Sequence, residues 1–127
     1  MSYQDSETLE KIVRLRNKTN AFSNMIGLYV TEIGPGWARA RVDITPDHLN
    51  PMGTVHGGCI STMADVVGGA GASCHGLNIV TLDCHIHYLR AGRGTKILYG
   101  EAKEIRAGKN ILVYDVDITD EKEEEKS

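Results

Sequence analysis

The chain has 127 residues, 41% hydrophobic and 24% charged, which suits one domain with one core and excludes a disordered or membrane-embedded class. A net charge of −3 and a pI near 5.9 argue against a nucleic-acid-binding surface, leaving only a local cationic patch for a phosphate-bearing small ligand. The first residues are polar and charged, without the apolar stretch of a secretory signal. The longest apolar run, near residues 66–72, is too short and glycine-rich to span a bilayer. Cys59, Cys74 and Cys84 form an odd set without metal-binding spacing and read as reduced, buried thiols of a cytoplasmic protein.

Taken in chain order, residues 1–20 hold a helical segment opened by Ser6 and Glu7, with Leu9, Ile12, Val13 and Leu15 on a ragged apolar face. Residues 28–33 predict a short strand, stopped by the turn Gly34-Pro35-Gly36. Ala38, Ala40, Val42 and Ile44 then alternate with Trp37, Arg39, Arg41 and Asp43, so the second strand is half-buried and closes a hairpin. Residues 45–56, broken by Pro46, Asn50, Pro51 and Gly53, read as a loop. Residues 57–73 follow as a helix apolar on almost every side, hence buried, with small residues that let neighbouring backbone come close. Three strands are expected after it: residues 79–89, residues 96–105, and residues 111–118 beyond a turn at 107–110. Residues 120–127 form a charged, solvated tail. The sum is an α+β domain, an antiparallel sheet wrapped around one long central helix.

Two features carry chemistry. Asp65 sits two turns into the most apolar helix, with Ser61 and Thr62 as its polar neighbours. A carboxylate buried without partners costs several kcal/mol, roughly, so Asp65 either bonds a neighbouring loop or is kept for function. At the amino end of the same helix, Val55-His56-Gly57-Gly58 presents backbone N–H groups that glycines leave accessible. That arrangement suits an oxyanion hole, and equally a glycine-rich helix start with only a packing role. Gly57 and Asp65 are eight residues apart, roughly 12 Å along a helix. A reacting carbonyl carbon must lie about 3 Å from both donor and attacking group. One copy of the helix cannot supply both, so a shared site requires a two-fold dimer with Gly57 from one chain and Asp65 from the other.

The run His48-Leu49-Asn50-Pro51-Met52-Gly53-Thr54-Val55-His56-Gly57-Gly58, followed by Asp65, resembles the signature of the PaaI-like hotdog thioesterases, over residues 22–120. The resemblance implies a hotdog fold and hydrolysis of an acyl-CoA thioester, with no cofactor or catalytic metal beyond the coenzyme A of the substrate. It gives Gly57 the oxyanion N–H, and Asn50 a hydrogen bond to the thioester carbonyl or the attacking water. Asp65 becomes general base or nucleophile, assisted by hydrogen bonds from Ser61 or Thr62, while His56 holds the loop through the Asn50 segment. Thr81 supplies a hydroxyl that orients water. Gly58 and Asp83 support the site, and Arg90, Arg93 and Lys96, with Arg106 and Lys109 in the next turn, form one basic concentration for the CoA phosphates. Asp83, His85 and His87 share a strand face with Thr81, where pairing across a dimer seam outweighs a metal site. Relatives assemble as dimers or tetramers. They also continue past the last acidic turn with a further strand, which this sequence does not show: either the chain is shortened or that strand is absent, which would leave a gap or an open edge in the sheet. Two other functions fit the fold: a non-catalytic acyl-CoA-binding protein, and a hydratase or dehydratase, which needs a His beside an acid.

Overall fold

The computed structural model describes residues 3–126, and the side chains of residues 3–123. Its elements are α1 (Ser6–Thr19), α2 (Ala21–Met25), β1 (Leu28–Gly34), β2 (Trp37–Asp43), α3 (Gly57–Ala72), β3 (Ile97–Ala107), β4 (Leu112–Asp120) and α4 (Glu121–Lys126). One-turn 3-10 helices, Pro46–His48 and Ser73–His75, stand before and after α3. The four strands form one antiparallel sheet in the order β1-β2-β3-β4, with α3 packed across it: a hotdog arrangement. No helix among the described residues is long and apolar enough to cross a membrane.

Asp5, not Ser6, caps α1, its Oδ1 accepting the Thr8 N–H at 2.8 Å. Leu9 and Ile12 turn inward. From the same helix the Asn17 amide donates to Val30 O and accepts from Val30 N–H, both at 2.8 Å. Those two bonds cover the outer edge of β1, beside a bulge between Val30 and Glu32. In β2 the alternation expected from sequence holds, with Ala38, Ala40 and Val42 buried and Trp37 opposite Gly34.

Helix α3 is not buried on every side, as its composition predicted. Cys59, Met63, Val67, Ala70 and Gly71 form one buried stripe against Leu28, Ala40, Val42, Leu98 and Ala102, while Asp65 on the other flank is exposed. Apolar content reports how much surface a helix can bury; it cannot say whether one chain supplies enough cover. A glycine is required at position 71, because a Cβ there would lie 2.8 Å from the ring of Tyr114.

The largest departure from expectation is the segment 79–89, which forms no strand within the chain. Its side chains do alternate, but Val80, Leu82 and Leu89 are 95%, 81% and 93% exposed. A strand exists only with a ladder partner, and the pattern cannot name that partner. The tail also differs: it is not merely solvated but forms α4, folded back on residues 90–97. Asp120 Oδ1 accepts the N–H groups of Lys122 and Glu123 at 3.0 and 3.1 Å, the Glu121 carboxylate accepts from Lys96 N–H at 2.8 Å, and Lys122 Nζ donates to Arg93 O at 3.0 Å.

Candidate active site

The loop between β2 and α3 is built to present the amino end of α3. Thr45 caps the turn Pro46–His48, and the buried His48 ring links two segments, taking the Thr45 N–H on Nδ1 at 2.9 Å and meeting Ile26 O through Nε2 at 2.5 Å. His48 O accepts the His56 N–H at 2.8 Å. Asn50 organises the next turn. Its Oδ1 accepts from the N–H groups of Met52 and Thr54 at 3.0 and 3.1 Å, and its Nδ2 donates to Thr54 Oγ1 at 2.8 Å. His56 was expected to hold the Asn50 segment with its side chain. Instead its Nδ1 accepts the Gly58 N–H at 2.8 Å and caps α3, so the loop-holding histidine is His48. A Cβ at position 58 would sit 2.9 Å from that Nδ1, so the cap itself calls for glycine.

The cap occupies the Gly58 N–H and leaves the Gly57 N–H without an acceptor among the described residues. Fixed at the positive end of α3, that donor has the makings of an oxyanion site. The Tyr88 ring stands over it: the phenol donates to Gly57 O at 3.3 Å, and a methyl on Gly57 would lie 3.5 Å from the ring. Cys59, in the same turn, is buried, and burial pushes its thiol up, so it is a poor nucleophile at neutral pH.

Two turns on, Asp65 Oδ1 accepts the Thr81 hydroxyl at 2.5 Å. The structure thus brings Asp65 and Thr81 together within one chain. It does not give Asp65 the help expected from Ser61 and Thr62, whose hydroxyls bond back to Gly58 O at 3.1 and 2.7 Å, as such residues commonly do inside helices. Arg16 of α1, which no sequence pattern singled out, approaches the same face. A Cβ at Gly69 would lie 3.3 Å from its guanidinium, and its Nε is buried without a partner among the described residues. Burial lowers the Arg16 guanidinium from its ordinary value, and the charge of Asp65 opposes that.

The remaining candidates separate. Asp83 pairs with His85 at 3.2 Å and takes the Cys84 N–H at 2.9 Å, all at the surface, and Cys84 is exposed rather than buried. With no strand there, Thr81, Asp83, His85 and His87 do not line a sheet face. The basic residues do not form one concentration. Arg93 lies beside the loop through the Thr54–Arg93 bridge and the Val55 N–H to Gly92 O bond at 3.0 Å, and Arg90 is paired with Glu123 of α4. Arg106 and Lys109 are at the far end of β3, lining a shallow groove with Asn110 and Ile111, roughly 30 Å from its start at 3.3 Å per residue. Nearness in sequence across a long strand is distance in space.

Residues 52–127 match the family model described as the Thioesterase superfamily. The solved PaaI protein of the Escherichia coli phenylacetic acid degradation operon superposes with a TM-score of 0.86 at 25% identity, over 92% of this chain and 85% of that one. A solved thioesterase of Haemophilus influenzae gives 0.80 at 26% identity, over 96% and 85%. Human acyl-coenzyme A thioesterase 13 is 23% identical over 117 residues, 90% of this chain and 84% of that protein. With the capped amino end of α3, the Asp65–Thr81 pair and the sheet behind them, these likenesses make the chain a member of the thioesterase superfamily, within its PaaI-like hotdog family.

Proposed function

We propose that the protein hydrolyses acyl-CoA thioesters at sites shared between two chains, Gly57 coming from one and Asp65 from the other. The observation that carries this reading is the division of α3. A free backbone donor stands at its amino end, and an accessible carboxylate aimed by Thr81 lies eight residues on, too far for one carbonyl to touch both. The uncovered flank of α3 and the unpaired segment 79–89 are the surfaces a second chain would meet. Relatives named as acyl-CoA thioesterases support the reaction class.

In this mechanism the thioester carbonyl oxygen lies at the Gly57 N–H, polarised by the end of α3. The partner's Asp65 takes a proton from water, and the new O–H group adds to the carbonyl carbon. The C–S bond then breaks, and the CoA thiolate takes up the proton. Direct attack by the carboxylate, through a mixed anhydride that water opens, uses the same residues. Thr81 holds the carboxylate, Asn50 keeps the loop in shape, Asp83 lies at the rim, and Arg93, beside the loop, is placed for a CoA phosphate. No cofactor enters.

A panel of acyl-CoA substrates (short, medium and long fatty, phenylacetyl and benzoyl), assayed for CoA release with Asp65→Asn alongside, tests the reading. Turnover that falls at least ~100-fold in the variant supports it. A folded oligomer that turns over none of the panel but binds acyl-CoA would instead be an acyl-CoA-binding protein. The hydratase alternative needs a free imidazole for proton transfer, whereas His56 Nδ1 is used in capping α3 and the His48 ring is bonded to Ile26 and Thr45.

A further inference from the structure

At the other end of α3, Cys74, His75 and Glu104 bring one sulfur, one nitrogen and one oxygen ligand atom within 4.8 Å of one another. Cys74 is fully buried, and the side chains of His75 and Glu104 are 2% and 12% exposed. We propose that these three side chains form a closed, structural site for one zinc-type divalent ion.

Donor chemistry and geometry both favour this. Thiolate, imidazole and carboxylate are the zinc ligand types, and one of each, buried together, suits a metal better than a charge pair suits an apolar end. The supporting contacts are in place. The Gly36 N–H reaches Cys74 Sγ at 3.3 Å, and Glu104 N–H holds Gly36 O at 2.7 Å. Tyr3 donates to the second Glu104 oxygen at 2.5 Å, and its ring lies 4.7 Å from that of His75. Such outer contacts orient ligands. The Tyr114 hydroxyl, 3.6 Å from Sγ and 3.2 Å from Glu104 Oε1, is the nearest group for a fourth position.

His75 Nε2 and Glu104 Oε1 share a hydrogen bond of 2.5 Å. An ion would enter between them, releasing their shared proton and the Cys74 thiol proton to solvent, so binding tightens as pH rises. Cys74 and His75 come from the 3-10 turn that follows α3, Glu104 from β3, and Gly36 from the β1–β2 turn. The ion would therefore pin α3 to the sheet far from Gly57, without touching substrate.

The test uses the full chain carrying Cys59→Ala and Cys84→Ser, which leaves Cys74 as its one thiol, stripped with chelator and titrated with Co2+ and then Zn2+. The expected result is a thiolate-to-cobalt charge-transfer band saturating at one equivalent and displaced by zinc. X-ray absorption of the zinc form should show one sulfur at about 2.3 Å among nitrogen and oxygen ligands, and saturating zinc should raise Tm by roughly 5–10 °C. A shell without sulfur, or zinc that leaves Tm unchanged, overturns the proposal. Should the core substitution unfold the chain, Cys84→Ser alone serves: the band must persist there and be lost on adding Cys74→Ser. A band that vanishes with Cys84 overturns it too.

Discussion

The two ends of α3 are built on opposite principles. At the carboxyl end the polar groups meet one another: Glu104 accepts from Tyr3 and Tyr114 and pairs with His75, and Tyr114 also donates to Gly71 O. Burial alone would push the Glu104 carboxyl up, but the bonds from Tyr3 and His75 outweigh it and hold it below the usual value. At the amino end the loop is held by the bonds of His48, Asn50 and His56, yet the Gly57 N–H has no acceptor among the described residues, and Asp65 is held by one hydroxyl at an exposed flank. A satisfied network stabilises. Unused bonding capacity, held still by satisfied neighbours, is what catalysis needs.

The contrast is open to attack by substitution. The largest effect belongs to Asp65→Asn, which should lower kcat by about 100-fold or more while moving stability by less than about 0.5 kcal/mol, as for an exposed site. Steady-state kinetics beside a denaturant titration reads both. Glu104→Gln should do the reverse. In the metal-free protein it removes a charged acceptor from a nearly buried network and should cost about 2–3 kcal/mol, with kcat within a few-fold of wild type. His56→Ala joins the two ends' behaviours. Losing the cap should cost about 1 kcal/mol, and the loosened Gly57 should lower kcat more than it raises KM. Smallest is the separation of the two basic sets. Arg93→Ala should raise KM for an acyl-CoA several-fold and leave KM for an acyl thioester lacking the nucleotide unchanged, whereas Arg106→Ala should alter neither.

Much of this was legible in the chain, for identifiable reasons. The β1–β2 hairpin, the turn at 107–110 and the span of α3 rest on short-range patterns that the fold obeys. The family resemblance placed Thr81 at the site only as a hydroxyl that orients water; its bond to Asp65 within one chain came from the fold. Local patterns could not tell that residues 79–89 lack a ladder in one chain, since alternation marks a strand face but not its neighbour. His48 looked like one more loop histidine; only the fold shows its ring joining Ile26 to Thr45. Arg16, Tyr88 and the Cys74–His75–Glu104 cluster depend on contacts across 29 to 53 residues of sequence, beyond the reach of any spacing rule. The mixed basic run failed the other way, because β3 carries its two parts apart.

The central claim, a site completed by two chains, is tested most directly by mixing two inactive variants. Asp65→Asn lacks the carboxylate, and Gly57→Pro lacks the N–H at a position where proline suits the first turn of a helix. Each alone should be down by at least ~100-fold. After unfolding together in equal amounts and refolding, half the dimers are mixed, and one of the two sites in each is intact. Activity should return to about a quarter of wild type if the sites are shared between chains. A mixture that remains as inactive as its parents, although the mixed dimer is present by mass, would contradict the account and confine each site to a single chain.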